Sequence, residues 1–283
     1  MRVIFYLVLI IFNLSFVWSK NFMWEVKSDK STCYILGSVH LADSSIYPMD
    51  QAISDAFDKS QVLVLEIDIS NINPTDVLKY TMLADTNTLA GAVDKITYKK
   101  FEDLFKKHNV PFMAYSKLKP WFAVMTLQSL EMISSNYSIA YGIDLFFLDK
   151  AQNKNMKIKE LESFAFQMKV LDTLNNFSGK FLDYTLEEIN DTGKQVADIL
   201  KAWKNGDSDK MSEIVNQGFD IEGFDEVMHI INNQRNYNML DKIEQYLQSN
   251  ETHFVVVGAA HLVGKEGLIQ LLKSKNKYTI NQK

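Results

Sequence analysis

The chain has 283 residues, 47% of them hydrophobic and 23% charged, with a formal net charge of −5. That is enough apolar material for one large core or two modest ones, and the composition is not that of a disordered chain. Neither half is basic and no Lys-rich tract occurs, which argues against nucleic acid as a partner.

Residues 1–19 read as a secretory signal peptide. Arg2 leads into an apolar run from Val3 to Val17, and Val17-Trp18-Ser19 puts a small residue at the cleavage position. The alternative is an uncleaved membrane anchor, for which the run is somewhat short. The expected location is therefore extracytoplasmic, periplasmic or secreted, with membrane contact only through this segment. Residues 20–283 read as a single α/β domain. Cys33 is the only cysteine, so no internal disulfide can form and stability must come from packing. It sits in an apolar stretch and reads as buried.

Met23-Trp24-Glu25-Val26, a polar turn and Thr32-Cys33-Tyr34-Ile35-Leu36 predict a hairpin whose second strand ends at Gly37. Met49, Ala52, Ile53, Ala56 and Phe57 follow helical spacing, and Val62 to Ile67 is an apolar run of strand length. Strand, helix, strand in that order favours a right-handed crossover and a parallel pair. Helices are predicted around Tyr98–Phe105, Trp121–Ile133 (opened by Pro120) and from Gly142-Ile143-Asp144. Met156 to Leu161 alternates as a short strand. Helices then run from Phe164 to Leu247, with breaks around Gly179, Gly206-Asp207 and Gly218–Gly223. The chain closes with a strand from His253 to Val257, a turn, a helix from Lys265 to Leu272 and a last strand at Tyr278–Ile280. The expected architecture is a mostly parallel or mixed sheet flanked by helices, with a helical insertion.

Two turns share one plan. Gly37-Ser38-Val39-His40 and Gly258-Ala259-Ala260-His261 each follow an apolar strand and lead through Leu into a loop and a helix. Glycine allows a sharp turn or a close approach at the strand end. The histidine then projects from the carboxyl end of a strand, where open α/β sheets place ligands. Two such imidazoles make half of a metal site. The plainer alternative is a pair of buried histidines bonded to backbone carbonyls.

Glu66 and Glu162 each end a predicted strand. A carboxylate there is expensive to bury unless it is paired, protonated or metal-bound. His40, His261 and Glu66 would give three ligands with an open position for water, and Glu162 could then act as general base. Otherwise both carboxylates are ordinary strand-end surface groups. Arg235 is, with Arg2, one of only two arginines in the chain. Its bidentate fork could stabilise an oxyanion, hold a substrate carboxylate or lock Glu66 or Glu162 in a structural ion pair. His108, His229 and His253 read as structural or exposed. No Gly-x-Ser-x-Gly elbow, His-Glu-x-x-His motif or Gly-rich phosphate loop is present.

Taken together, Tyr34–His40 with Tyr47-Pro48, Leu65-Glu66-Ile67-Asp68, Lys119-Pro120-Trp121, Gly142-Ile143-Asp144, Leu161-Glu162, Arg235-Asn236 with Met239, and Phe254–Leu262 with Gly264 and Gly267-Leu268 resemble the TraB/GumN family, which includes the Tiki metalloproteases. Ser38-Val39 stands where Thr-Ile is more usual. The resemblance implies a fold like the erythromycin esterase and ChaN-type haem-binding proteins. It also implies a divalent metal, Mn²⁺ or Co²⁺ with Zn²⁺ possible, that depends on His40 and His261, with Glu66 and Arg235 as partners. The activity it implies is that of a metallopeptidase acting on a peptide or protein. A binding protein that holds a peptide, haem or metal in the same cleft without turnover is the alternative.

Overall fold

Strand His253–Gly258 (β5) is apolar throughout after its first residue, and its side chains from His253 to Val257 are buried. A strand buried on both faces belongs in the middle of a covered parallel sheet, and there it lies. In the computed structural model, which describes residues 20–84, 86–176, 179–217 and 223–283, six strands form one mixed sheet. In chain order these are β1 (Met23–Lys27), β2 (Thr32–Ser38), β3 (Val62–Leu65), β4 (Lys157–Glu160), β5 and β6 (Thr279–Gln282), and across the sheet they run β4-β3-β5-β2-β1-β6. The four strands β4, β3, β5 and β2 are parallel, and β1 and β6 add an antiparallel edge. The predicted signal segment lies outside the described residues.

The hairpin β1–β2 forms as its pattern predicts. The adjacent pairing of β2 with β3 does not. Both strands are parallel, but β5 enters between them and pairs with each. Local pattern sets the direction of β2 and β3. Which strand fills the gap is decided by a segment almost two hundred residues later.

Successive side chains of a strand face opposite sides, so Phe254 and His253 belong to different faces. On the Phe254 face, helices Gln51–Lys59 and Ile143–Asn153 pack through a ring cluster. Phe57, Phe147 and Phe254 have centroids 4.7–5.4 Å apart. On the other face helix Gln234–Leu247 buries Met239, Leu240, Ile243 and Leu247, and Tyr246 stacks on His253. Trp203 Nε1 donates to Gly37 O at 2.7 Å and ties helix Thr192–Lys204 to the end of β2.

The predicted helical insertion builds its own apolar cluster. Leu89, Phe101, Phe105, Tyr115, Leu127, Leu186 and Ile189 pack away from the sheet. The break expected at Gly206-Asp207 is present, with Gly206 at a φ of +60. Gly179 opens a helix, Gly179–Glu187, and most of the break expected at 218–223 falls outside the described residues. Among the described residues no helix is long and apolar enough to cross a membrane.

Candidate functional site

The four parallel strands end on one edge, and each delivers one residue there: β2 leads to His40, β3 to Glu66, β4 to Glu162 and β5 to His261. The β3–β4 ladder continues past the strand ends, with Leu161 N donating to Leu65 O and Glu162 N to Glu66 O, both at 2.8 Å. This ladder carries the Glu66 and Glu162 backbones side by side.

Arg235 comes from the opposite direction, at the start of helix Gln234–Leu247. A π-helical turn, His229–Asn233, precedes it, a distortion often found at functional sites. Its Nη1 donates back to Ile231 O at 3.0 Å. Nη2 reaches Glu66 Oε2 and Glu162 Oε2, each at 2.6 Å, and Nε lies 3.0 Å from both Glu162 oxygens. Gln167 Nε2 donates to Glu66 Oε2 at 3.0 Å and to Glu162 Oε2 at 2.9 Å. The Glu162 side chain is 1% exposed and that of Glu66 11%.

Glu66 Oε1 accepts the Gly258 N–H at 2.7 Å. A Cβ on Gly258 would stand 3.2 Å from that same oxygen, so the glycine permits the approach. Burial alone would raise the Glu66 carboxyl. The His261 and Arg235 groups, His40 and the Gly258 N–H outweigh burial and hold it down at about 2. With the His261 imidazole pushed down to about 4 by burial and neutral at pH 7, Arg235, His40 and the Gly258 N–H sustain this effect.

The two histidines converge on the edge with different partners. His261 is buried, its Nδ1 lies 2.7 Å from Asn236 Oδ1, and its Nε2 stands 3.8 Å from Glu66 Oε1. His40 is 66% exposed, and its Nδ1 lies 2.8 Å from Asp144 Oδ2. The Asp144 carboxylate raises the His40 imidazole above its ordinary value. Asp144 is held there by the docking of its own motif on the first turn. Ile143 N donates to Val39 O at 3.2 Å, and a Cβ on Gly142 would meet His40 O at 2.4 Å. Only glycine lets the two backbones come this close.

Sequence reasoning singled out five residues at this edge and missed three. Asp144 and Asn236 were visible only as parts of short motifs, and Gln167 carried no signal at all. The other histidines lie elsewhere. His108 bonds Glu131 at 2.9 Å, His229 is exposed, and His253 is buried at the far end of β5. Cys33, also buried, pairs with His253 in the sheet register, and burial pushes its thiol up to about 12.

His40, Glu66, Asp144 and Gln167 share a cavity of about 250 Å³ whose other walls include Ile67, Ile69 and Ile139. Among the described residues, no three His, Cys, Asp or Glu side chains already stand close enough together to hold a metal ion. By donor chemistry the set does fit one. Each candidate ligand has its second polar atom tied down: His40 by Asp144, His261 by Asn236, and Glu66 by Arg235 and Gln167. Such outer partners are what orient first-sphere ligands. The residues that would hold such an ion are His261, Glu66 and His40, of which His40 is the exposed one.

Comparison with known proteins gives two weak curated relatives. A "Metalloprotease TIKI homolog" of Amphimedon queenslandica is 25% identical over 193 residues, 59% of this chain and 38% of the relative. An uncharacterized protein of Treponema pallidum (strain Nichols) is 22% identical over 156 residues, 54% of this chain and 46% of the relative. The aligned part thus spans less than half the length of either relative. No solved structure matches the chain. The TraB/PrgY/gumN family model matches residues 22–282, nearly the whole length of the α/β domain, and the protein belongs to that family.

Proposed function

We propose that this protein is an exported metal-dependent hydrolase of peptide bonds. The observation that carries the reading is the meeting of His40, Glu66, Glu162 and His261 at the carboxyl ends of four parallel strands, with Arg235 bridging the two carboxylates. A relative named as a metalloprotease supports it. Export rests on the reading of residues 1–19 as a signal peptide.

In this reading His40, His261 and Glu66 would hold a divalent cation, with Mn²⁺ or Co²⁺ favoured and Zn²⁺ the third choice. The chemistry such an ion would supply there is Lewis-acid activation of water and of the scissile carbonyl. Asp144 and Asn236 orient the two rings. Arg235 helps to keep Glu66 ionised against the burial that favours its protonated form. Arg235 would also steady a developing oxyanion, for which only the Nη1 hydrogen not given to Ile231 is left. Glu162 was expected to activate water. Its two oxygens are taken up by Arg235 and Gln167, which supports the holding of Arg235 as its main task.

The cavity of about 250 Å³ is smaller than the about 300–1,000 Å³ of pockets that enclose drug-sized ligands, which counts against haem as the occupant. The deciding experiment incubates purified protein with a peptide library, with and without Mn²⁺ or Co²⁺ and then with chelator. Cleavage that needs the metal supports the proposal. Tight binding with the peptides intact would assign the cleft to a binding protein, and cleavage that survives chelation would point to a metal-free hydrolase.

A further inference from the structure

We infer that Asn236 is a positioning residue that fixes His261 in its Nδ1–H tautomer and so leaves Nε2 as the open lone pair facing Glu66. Donors and acceptors decide the matter. Asn236 is fully buried and bonded on both sides of its amide. Its Nδ2 donates to Glu266 O at 2.8 Å, and its Oδ1 lies 2.7 Å from His261 Nδ1. Turning the amide over would set its oxygen against the Glu266 carbonyl, two acceptors in contact in a buried place. The backbone carbonyl therefore decides which way the amide points.

An amide oxygen carries no proton, so His261 Nδ1 must supply the one in this bond. The proton of a neutral imidazole is then spent, and Nε2 is bare. At 3.8 Å from Glu66 Oε1 it makes no hydrogen bond, which agrees with two acceptors facing each other. Without Asn236 the balance would reverse. An unconstrained neutral histidine side chain favours the Nε2–H form, and a proton there would point at the Glu66 carboxylate.

Asn236 and Arg235 are adjacent at the start of one helix, so the same turn that charges the Glu66 side of the site also sets the His261 tautomer. A carboxylate at position 236 would still accept from Nδ1 but would face the Glu266 carbonyl unfavourably. An amide is the side chain that serves both neighbours.

The tautomer belongs to the metal-free chain. Only its consequence for metal affinity rests on the proposed metal-dependent function. The test is long-range ¹⁵N–¹H spectroscopy of histidine-labelled, metal-free protein at pH 8, with the His261 signals assigned by their loss in His261→Gln. The wild type is expected to show a protonated Nδ1 and a bare Nε2. Asn236→Ala is expected to move the proton to Nε2, and Asn236→Asp to keep it on Nδ1. Titration with Mn²⁺ is expected to show affinity about 10–100-fold lower in Asn236→Ala. A wild-type His261 protonated on Nε2, or an Asn236→Ala protein that keeps Nδ1–H, overturns the assignment. Should Asn236→Ala fail to fold, the wild-type spectrum alone still decides. Nδ1–H in a protein that binds no Mn²⁺ would uphold the tautomer and count against the metal site.

Discussion

Arg235 Nη2 lies 2.6 Å from Glu162 Oε2, in a pair whose carboxylate side chain is 1% exposed and whose guanidinium is 12% exposed. The same nitrogen reaches Glu66 Oε2, so one cation stands between two buried carboxylates.

Removing that cation leaves two buried like charges with only the neutral Gln167 amide and the Gly258 N–H to bond them. Breaking a buried pair in this way costs about 3–5 kcal/mol, so Arg235→Gln is expected to lower the urea midpoint by an amount of that order, with little change in m-value. Arg235→Lys is expected to recover only part of the loss, because an ammonium cannot serve Ile231 O and both carboxylates from one planar fork. A Lys variant as stable as wild type would show that the fork geometry is unimportant.

Stability is expected to fall on the acid side, and two groups set the sign. His261 drops from 6.5 to about 4 on folding, so between these values the unfolded chain binds the extra proton and stability declines as pH falls. Glu66 drops from 4.5 to about 2, and its contribution is lost as pH falls through that window. His40 acts in the opposite sense: its raised value adds stability below 6.5 that fades as pH climbs toward the folded value, weakened by solvent screening of an exposed ring. Urea midpoints measured from pH 8 to pH 4 check this. The decline between 6.5 and 4 should flatten in His261→Gln, and an unchanged slope would remove His261 as its cause.

His40 is the most exposed of the expected metal ligands, so His40→Ala is expected to keep the fold and its thermal midpoint. It should abolish both Mn²⁺ or Co²⁺ binding and metal-dependent cleavage. Full activity in this variant would sink the proposed site.

Gly142 stands where a Cβ would come within 2.4 Å of His40 O and 2.9 Å of Ile139 O. Both neighbours are backbone, which yields less than a side chain would. Gly142→Ala is expected to destabilise by about 1–3 kcal/mol, as overpacking does, and to shift the His40 ring resonances as Asp144 moves away. Gly91→Ala, whose Cβ would meet nothing closer than 3.6 Å, serves as the control.

Much of the site was legible because it is written at strand ends. The run Phe254–Val257 ahead of Gly258 and the run Val62–Leu65 ahead of Glu66 are patterns of a few residues, and the residues next after a parallel strand emerge at its carboxyl edge. Arg235 was legible by rarity in a Lys-rich chain. What Arg235 touches was not, since an ion pair with Glu66 spans 169 residues and its partner could equally have been a substrate.

The sequence by itself determined the strands, the two Gly-x-x-His turns and the placing of carboxylates after β3 and β4, because strand periodicity and glycine turns are local properties of the backbone. The tertiary structure alone decided that β5 enters between β2 and β3, and that Asp144, Asn236 and Gln167 complete the cluster. Those outcomes depend on strand order and on the direction in which distant side chains point. A hydrogen bond needs its partner within about 3 Å, and nothing in a linear pattern carries that distance.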